Sequence, residues 1–327
     1  MIITKSPLRV SLFGGGTDFR DYWKYNSGSV ISIAINKYVY ILIKKRLNQE
    51  IYLHWKKREV VKDINKIKHE LVRESLKKTN LKKNLDIVCL SDVSELGSGL
   101  GSSSSFTAAL LKCCNDFKNK NISKKKLVSD TLDIELNKLK KPIGYQDQYI
   151  TVYGGFKRFY FQKNGNVKIF NYKLDKIKSL IDNLFLVPTN VYRSAELVLN
   201  EQNKKIKLNK THLDQISEIT NEAHKYIISE DFNKIGYLLN DYWKIKKQLS
   251  SNVSNDVIDK IYKRGILSGS LGGKICGAGN RGFLLFYVPK KNKKNFQLKM
   301  KNFNFFQFDI SYKGTYNCFD DFNNIKY

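Results

Sequence analysis

The chain has 327 residues, 42% of them apolar, which is enough for one large hydrophobic core or two ordinary ones. Its formal net charge of +28 suggests an anionic partner, but only nine of the 58 basic residues are arginine. Because bidentate base readout and phosphate clamping favour arginine, this lysine excess spread along the chain argues against a nucleic-acid-binding protein.

The sequence gives no sign of a membrane or secreted protein. The longest apolar run, residues 30–43, has 14 residues and is interrupted by Asn36-Lys37, so it is too short to span a bilayer. The segment MIITKSPLRV has no secretory h-region, and the five cysteines form no CxxC pattern. We therefore expect a cytoplasmic protein with reduced, buried thiols.

The first half of the chain is predicted to be rich in β-strands. Near-helical spacing of isoleucine and leucine predicts a helix over 63–80. Further helices are predicted over 103–118, after the serine-rich segment, and over 123–139. A plausible turn at Asn36-Lys37 separates two of the predicted strands. The strands are predicted over 2–14, 29–35, 38–46, 51–55 and 85–91.

The second half is predicted to mix a hairpin, a long helical region and late strands. Residues 154–172 predict a hairpin that turns at Asn164-Gly165. Residues 193–250 are predicted to be helical. Strands are predicted at the end of 180–190, after the glycine turn within 275–288, and over 304–316. The mixture in both halves predicts an α/β or α+β fold.

The stretch GSGLGSSSS at residues 97–105 stands between a predicted strand and a predicted helix. Free amide groups and the helix dipole make a helix N-terminus attractive to anions, and glycines let a ligand approach the backbone closely. The stretch matches neither the P-loop pattern nor the dinucleotide fingerprint. It is a candidate phosphate cradle; the alternative is a flexible linker or a serine-rich surface loop.

Two further glycine clusters end predicted strands. One is PLRVSLFGGGTD at residues 7–18, and the other is KICGAGNRGFLLF at residues 274–286. A glycine cluster at the end of a strand indicates a place where the backbone must come close to something else.

Together these three segments resemble the motifs of the GHMP family of small-molecule kinases, named for galactokinase, homoserine kinase, mevalonate kinase and phosphomevalonate kinase. The first motif is a Pro-x-Arg strand that leads into a glycine turn with Thr-Asp. The second, GLGSSS, is matched by Gly99–Ser104, and the third, GAGxGG, by Gly277-Ala278-Gly279 and Gly282. The resemblance covers essentially the whole chain. It departs from the pattern at Ser94, where proline is usual, and at Asn280-Arg281, where a glycine pair is common.

The resemblance implies an α+β fold of two lobes with the active site between them. The N-terminal ATP-binding lobe, residues 1–165, would be an α/β unit like domain 2 of ribosomal protein S5. The C-terminal lobe, residues 166–327, would be a ferredoxin-like α+β unit. The implied protein is a monomer or homodimer that acts without nucleic acid or membrane.

The resemblance also implies an ATP-dependent kinase that uses Mg²⁺. Ser103 aligns with the serine that ligates Mg²⁺ in the family, and Glu135 is where a second ligand is expected; a solvated helical carboxylate is the alternative for Glu135. The implied phosphate-binding residues are Gly97, Ser98, Gly99, Leu100, Gly101, Ser102, Ser103 and Ser104.

The segment PIGYQDQYITVYGG at residues 142–155 resembles the part of the family that carries the catalytic aspartate. Asp147 is then the candidate base and Arg9 its basic partner, although a strand-end arginine could pair with any carboxylate. The implied substrate-binding residues are Gly15, Gly16, Thr17, Asp18, Arg193, Gly277 and Gly279.

Within the family, GGGTD and the flanking segments are most similar to the kinases of D-glycero-D-manno-heptose 7-phosphate. Those enzymes phosphorylate the anomeric C1 hydroxyl on the route to nucleotide-activated heptose for bacterial surface polysaccharide. Arg193, at a predicted helix start, is the candidate seat for the 7-phosphate, against an ordinary surface arginine. The alternatives are a kinase for L-fucose or galactose, a nucleic-acid-binding protein, and a nucleotide-binding protein without catalysis.

Overall fold

The computed structural model of the protein describes residues 1–93, 98–191, 201 and 208–320. The strands are β1 (Ile2–Phe13), β2 (Gly28–Lys45), β3 (Ile51–His54), β4 (Arg58–Val61), β5 (Leu85–Ser91), β6 (Phe156–Phe161), β7 (Val167–Asn171), β8 (Leu184–Pro188), β9 (Gly272–Ile275), β10 (Phe283–Tyr287) and β11 (Tyr316–Asp320).

Helices alternate with these strands in both halves of the chain. The α-helices are α1 (Arg20–Asn26), α2 (Glu70–Thr79), α3 (Ser102–Phe117), α4 (Lys124–Leu132), α5 (Gln146–Tyr153), α6 (Leu174–Asp182), α7 (Lys210–Ile228), α8 (Phe232–Gln248), α9 (Asp256–Leu267) and α10 (Lys293–Met300). A π-helix (Asp133–Lys138) continues α4, and short 3₁₀ turns cover Ile64–Lys66, Lys290–Asn292 and Lys301–Phe303. The mixed α+β class expected from the sequence is confirmed.

The larger sheet has eight strands and is organised around β2. The order is β11-β1-β2-β5-β3-β4, and the hairpin β6-β7 joins the N-terminal part of β2. All pairs are antiparallel except β3 with β5. Residues 28–35 of β2 are buried throughout, because apolar clusters cover both faces there, whereas only alternate residues are buried from Val39 to Ile43.

The turn predicted at Asn36-Lys37 is wrong, because β2 runs through it as one strand. Pro7 of β1 pairs with Tyr38 and Leu8 pairs with Ile35, so two residues of β2 are left over as an irregularity in the register. Pro7 lacks an amide hydrogen and cannot donate to the ladder, which is why the extra residues are tolerated at this position.

A second sheet of three antiparallel strands, in the order β8-β10-β9, belongs to the C-terminal half. Helix α8 packs against β9 and directs Tyr242, Trp243 and Lys246 inward. The described helices of the region predicted to be helical, α7 and α8, agree with that prediction; residues 193–200 and 202–207 lie outside the described residues.

The division at residue 165 stays a prediction, but the strand pairings bear on it. Strands β7 and β11 lie beyond residue 165 and yet belong to the larger sheet. β11 pairs with β1, so the end of the described chain returns to the N-terminal unit.

Most of the other predicted elements agree with the structure, and one predicted strand does not. The hairpin turns at Asn164-Gly165 as expected, and β5 and α3 lie within one residue of their predicted bounds. The strand predicted over 304–316 is wrong: the stretch makes only isolated bridges, and the strand begins at Tyr316. Four cysteines are buried, but Cys318 is exposed. Among the described residues, no helix is long and apolar enough to cross a membrane.

The start of α3 is tied to β1 by a buried side chain. Ser105 is fully buried, and its Oγ donates to the Pro7 carbonyl oxygen at 2.7 Å. We expect Ser105→Ala to lower the free energy of unfolding by about 1–2 kcal/mol, because a buried carbonyl loses this donor. Urea denaturation measures the change. Ser251→Ala, at an exposed loop serine, is the control and should have no effect; equal stabilities for the two variants would contradict this account.

Candidate active site

The three glycine clusters meet at one cleft of about 250 Å³ between the two sheets. The end of β1, the 14–18 turn and the start of α3 form one wall together with the segment before α5. Helix α8 and the 274–281 turn form the other. The cleft is lined in part by Arg9, Ser11, Gly15, Gly16, Asp18, Ser98, Gly99, Gly101, Ser102, Ser103, Gly144, Gln146, Asp147, Tyr242, Lys246, Lys274, Gly277 and Arg281.

The second and third glycine clusters are in backbone contact. A Cβ on Gly99 would lie 2.5 Å from the Cys276 carbonyl oxygen, and one on Gly277 would lie 2.8 Å from the Gly99 Cα. Both glycines have positive φ, +71° and +65°. Side chains at either position would separate the two segments, so glycine is required for this wall of the cleft to form.

Arg9 and Asp147 form a bidentate ion pair in the cleft. The Nε and Nη2 atoms of Arg9 each lie 2.7 Å from one carboxylate oxygen of Asp147. Nη1 donates to the carbonyl oxygen of Gly99, and the Arg9 amide donates to the carbonyl oxygen of Leu100 at 2.8 Å. Arg9 therefore fixes both the carboxylate and the glycine loop.

The serine-rich loop begins helix α3 at the cleft. Gly101 is the N-cap residue, with a φ of +75°, and as a glycine it has no side chain that could cap the helix. Ser98 and Ser102 are joined through their hydroxyls at 2.9 Å, and Ser103 is exposed. The first amides of α3 lack intrahelical acceptors, so this end of the cleft can hold an anion.

Glu135 lies behind the loop on the π-helix and is fully buried. Its carboxylate accepts hydrogen bonds from Ser103 at 2.8 Å, Ser104 at 2.7 Å and Gln148 at 2.6 Å. Burial raises the pKa of Glu135, and these donors partly offset the increase. The solvated-helix alternative for Glu135 is wrong. In this arrangement the carboxylate orients the Ser103 hydroxyl, and it would reach a cation only if that hydrogen bond opened.

The GGGTD turn places the Asp18 carboxylate in the cleft. Its oxygens accept hydrogen bonds from the amides of Gly16 at 2.9 Å and Gln146 at 3.1 Å. Burial is the largest cause of its raised pKa. Gly144 packs so closely that a Cβ there would lie 2.0 Å from an Asp18 carboxylate oxygen.

Thr17 has a different role from the sugar contact that the resemblance implied. Its hydroxyl is buried, donates to the carbonyl oxygens of Gly14 and Ser29, and accepts from the Ser29 amide at 3.1 Å. Because these bonds lie within the protein, we assign Thr17 to holding the turn rather than to touching a ligand.

Most of the other implied site residues line the cleft, but not all. Leu100 and Ser104 are buried behind the loop, and Gly279 packs against Val253. Gly97 and Arg193 lie outside the described residues. The residues brought together as implied are Arg9, Gly15, Gly16, Asp18, Ser98, Gly99, Gly101, Ser102, Ser103, Asp147 and Gly277.

Sequence reasoning missed several cleft residues, among them Ser11, Tyr242, Lys246 and Lys274. Tyr242 donates to the Gly15 carbonyl oxygen at 3.1 Å. Lys246 lies on the buried face of α8, and Lys274 precedes the third glycine cluster. The sequence did contain one signal: Lys246 falls on the apolar face of an amphipathic helix. This signal is hard to recognise because the chain contains many other lysines.

An aromatic recess adjoins the serine loop outside the cleft. It is formed by Trp55, His69 and Phe106 and shares Ser102 and Ser103 with the cleft. The rings of His69 and Phe106 stack with centroids 4.8 Å apart, and Trp55 meets His69 edge-on at 4.7 Å. Burial lowers the pKa of His69, which favours the neutral ring. The aromatic side chains suit a flat group, and Lys68, Glu70 and Lys141 also line the recess.

The chemistry of the cleft is that of an anion cradle beside a carboxylate. Backbone amides and serine hydroxyls face one end, basic side chains line the other wall, and Asp147 stands between them. Such an arrangement can hold a phosphorylated ligand and present a second ligand's hydroxyl to Asp147.

The chain is similar in sequence to proteins of one known family. The family described as GHMP kinases N terminal domain matches residues 61–155. A D-glycero-alpha-D-manno-heptose 7-phosphate kinase from Campylobacter jejuni is 30% identical over 318 residues, which cover 90% of this chain and 91% of the relative.

Solved structures show the same fold. A D-glycero-D-manno-heptose 1-phosphate kinase from Bacteroides thetaiotaomicron superposes with a TM-score of 0.80 at 20% identity, covering 97% of this chain and 98% of that chain. A putative sugar kinase from Campylobacter jejuni has a TM-score of 0.75 at 25% identity, covering 97% of both chains. The two-lobed fold expected from the motifs is confirmed by these matches.

Gly101 lies against the ion pair and offers a test of the packing. A Cβ there would lie 2.9 Å from the Arg9 Cγ and 3.3 Å from an Asp147 carboxylate oxygen. Gly165 has a similar φ of +85° with open space around it, so Gly165→Ala is a matched control for backbone strain alone. In each variant, backbone strain should lower the free energy of unfolding by about 1–2 kcal/mol. Gly101→Ala should lower it by about 1–3 kcal/mol more, because the new Cβ displaces Arg9 and Asp147.

Denaturant unfolding of both variants measures this difference. Equal losses for Gly101→Ala and Gly165→Ala would contradict the close packing of Gly101 on Arg9 and Asp147.

Proposed function

Because the chain belongs to the GHMP kinase family and is a phosphotransferase with an alcohol group as acceptor, we propose that it phosphorylates the anomeric C1 hydroxyl of D-glycero-D-manno-heptose 7-phosphate with ATP. The product is the 1,7-bisphosphate, a precursor of nucleotide-activated heptose for surface polysaccharide. The observation that carries the proposal is that the Arg9–Asp147 ion pair and residues 98–103 line the same cleft.

The nucleotide binds across two adjoining features. Its phosphates lie on the amides and hydroxyls of residues 98–103, and its base lies in the aromatic recess of Trp55, His69 and Phe106. Continuity supports this arrangement, since Ser102 and Ser103 border both the cleft and the recess. A flat base stacks favourably on such rings.

The donor set near Ser103 fits a magnesium ion, which prefers oxygen ligands and substrate phosphates. The exposed Ser103 hydroxyl would be the direct ligand, and the Glu135 carboxylate, 2.8 Å from that hydroxyl, would orient it. When bound, Mg²⁺ neutralises phosphate charge.

Asp147 orients and deprotonates the attacking hydroxyl. Each of its oxygens accepts one bond from Arg9 and keeps further lone pairs for a sugar O–H. As the sugar oxygen bonds to the γ-phosphorus, its proton passes to Asp147. The bond from phosphorus to the β,γ-bridging oxygen breaks, and its electron pair leaves with ADP.

The sugar hydroxyls are held by the buried polar groups on the 14–18 side of the cleft. The Asp18 carboxylate retains acceptor capacity beyond its two amide donors. Within the described part of the chain, the buried Ser11 hydroxyl has no hydrogen-bond partner and lines the same cleft. A sugar that leaves such groups unpaired is disfavoured, and this is the physical basis of specificity.

The choice of a heptose phosphate rests on the relatives, because two of them are named as heptose phosphate kinases. The proposed contact of Arg193 with the 7-phosphate lies outside the described residues. The runner-up is a kinase that acts at C1 of L-fucose or galactose, which would require no seat for a sugar phosphate.

Asp147→Asn tests the base. We expect kcat to fall by about 10²–10⁴-fold, the range for loss of general acid–base catalysis, while ATP binding is largely retained. Asp241→Asn, at an exposed carboxylate paired with Lys244, is the control and should be fully active. Wild-type turnover by Asp147→Asn would remove Asp147 from the chemistry.

A substrate panel with Mg·ATP tests the acceptor. The panel compares D-glycero-D-manno-heptose 7-phosphate with the unphosphorylated heptose, L-fucose and galactose, and phosphorus NMR identifies the product. We expect the highest kcat/KM for the heptose 7-phosphate and a new anomeric phosphate. Preference for an unphosphorylated sugar, or phosphorylation at another carbon, would contradict the proposal.

A further inference from the structure

We propose that Lys274 and Lys246 form a second phosphoryl-binding seat in the cleft, separate from the serine loop 98–103. The identity of its occupant rests on the proposed kinase function, whereas the existence of the seat rests on the geometry of the two side chains. Both lysines line the cleft, and they are only 1% and 6% exposed.

The two ammonium groups are not balanced by carboxylates. Lys246 Nζ donates to the carbonyl oxygens of Ile275, at 3.3 Å, and Gly277. Lys274 Nζ lies 4.5 Å above the centre of the Tyr242 ring. Within the described residues, neither lysine has a carboxylate at salt-bridge distance. Lysines are almost never buried without such a partner.

The cleft as a whole carries excess positive charge. Its basic residues are Arg9, Lys246, Lys274 and Arg281, and its acidic residues among those described are Asp18 and Asp147. Asp147 is already bonded to Arg9 through both oxygens. A phosphoryl dianion would supply the missing negative charge, and lysine binds phosphate as a compact point charge.

The position of the seat is set by its neighbours. Lys246 bonds to Gly277, which packs on Gly99 of the phosphate loop. Lys274 lies over Tyr242, whose hydroxyl donates to Gly15 of the proposed sugar side. The seat therefore lies between residues 98–103, which bind the nucleotide, and the 14–18 turn, which binds the sugar. A phosphate of either substrate can reach it there.

The electrostatics of both lysines agree with a site that awaits an anion. The pKa of Lys246 is lowered to about 8; burial is the largest cause, Cys276 opposes the shift and Arg9 contributes to it. Burial lowers the pKa of Lys274 well below its usual value, and Lys246 and Arg9 add to this. The groups that face the pair are Arg9, Cys276 and Tyr242. A bound phosphoryl group would raise both pKa values, so binding should take up protons.

The stability of lysine variants separates a ligand seat from a structural role. Lys274→Met and Lys246→Met replace a buried amine, whose charged form has no carboxylate partner among the described residues, by an apolar chain of similar length. We expect Tm to stay the same or rise for Lys274→Met. Lys244→Met, on the same helix as Lys246 but exposed and paired with Asp241, is the control for both.

Phosphate binding tests the seat directly. With Mg·ADP present to fill the serine loop, inorganic phosphate is titrated calorimetrically in two buffers of different ionisation enthalpy. Wild type and Lys244→Met should bind phosphate with proton uptake. Lys274→Met and Lys246→Met should bind it about tenfold more weakly or worse, with less uptake.

Steady-state kinetics identify the source of the phosphoryl group. If the seat holds the sugar's own phosphate, both variants raise KM for the heptose 7-phosphate and leave the unphosphorylated heptose unaffected. If it holds the phosphoryl group in transfer, kcat falls for both sugars with KM unchanged. Either pattern supports the seat.

Unchanged phosphate affinity, KM and kcat in both folded variants would overturn the proposal, as would a large fall in Tm with phosphate binding retained. Failure of the wild-type protein to phosphorylate any sugar would overturn the proposed function alone, because the phosphate titration still measures the seat.

Discussion

Arg9 joins three parts of the chain that are remote in sequence. It belongs to β1, bonds to the carbonyl oxygens of Gly99 and Leu100, and holds both oxygens of Asp147. The contact of Gly99 with Gly277 extends this arrangement to the second sheet. A cleft between two sheets therefore depends on one guanidinium and on glycines that no other residue can replace without moving the backbone.

The cleft concentrates charge that is costly to bury. Burial raises the pKa values of Asp18 and Glu135, and lowers those of Lys246 and Lys274. A carboxyl group whose pKa is raised by folding lowers the free energy of unfolding as the pH rises through that pKa. A lysine whose pKa is lowered by folding lowers the free energy of unfolding as the pH falls through that pKa. Near neutral pH both kinds of group therefore oppose folding, which is the pattern of a site shaped for ligands rather than for stability.

The parts of the fold and site that could be predicted from sequence were those with local signals. Gly99, Gly101 and the serines predicted a helix start that faces an anion, because strand, glycine turn and helix follow directly in the chain. The family motifs added Asp147 and Arg9. The role of Thr17 could not be predicted, since its partners Gly14 and Ser29 are brought together only by the turn.

Lys246 and Lys274 could not be recognised from the sequence, because the chain has 49 lysines and only the packing of the folded chain distinguishes the buried lysines from the exposed ones. The turn predicted at Asn36-Lys37 was wrong because the two extra residues of β2 at this position are polar, as turn residues usually are.

A crystal structure with a non-hydrolysable ATP analogue and Mg²⁺ would show whether the cleft binds the nucleotide as proposed. We expect the triphosphate to lie on the amides of residues 98–103, with the γ-phosphate next to the Asp147 carboxylate and the metal beside Ser103. A triphosphate bound on another surface, or one whose γ-phosphate points away from the Arg9–Asp147 pair, would contradict it.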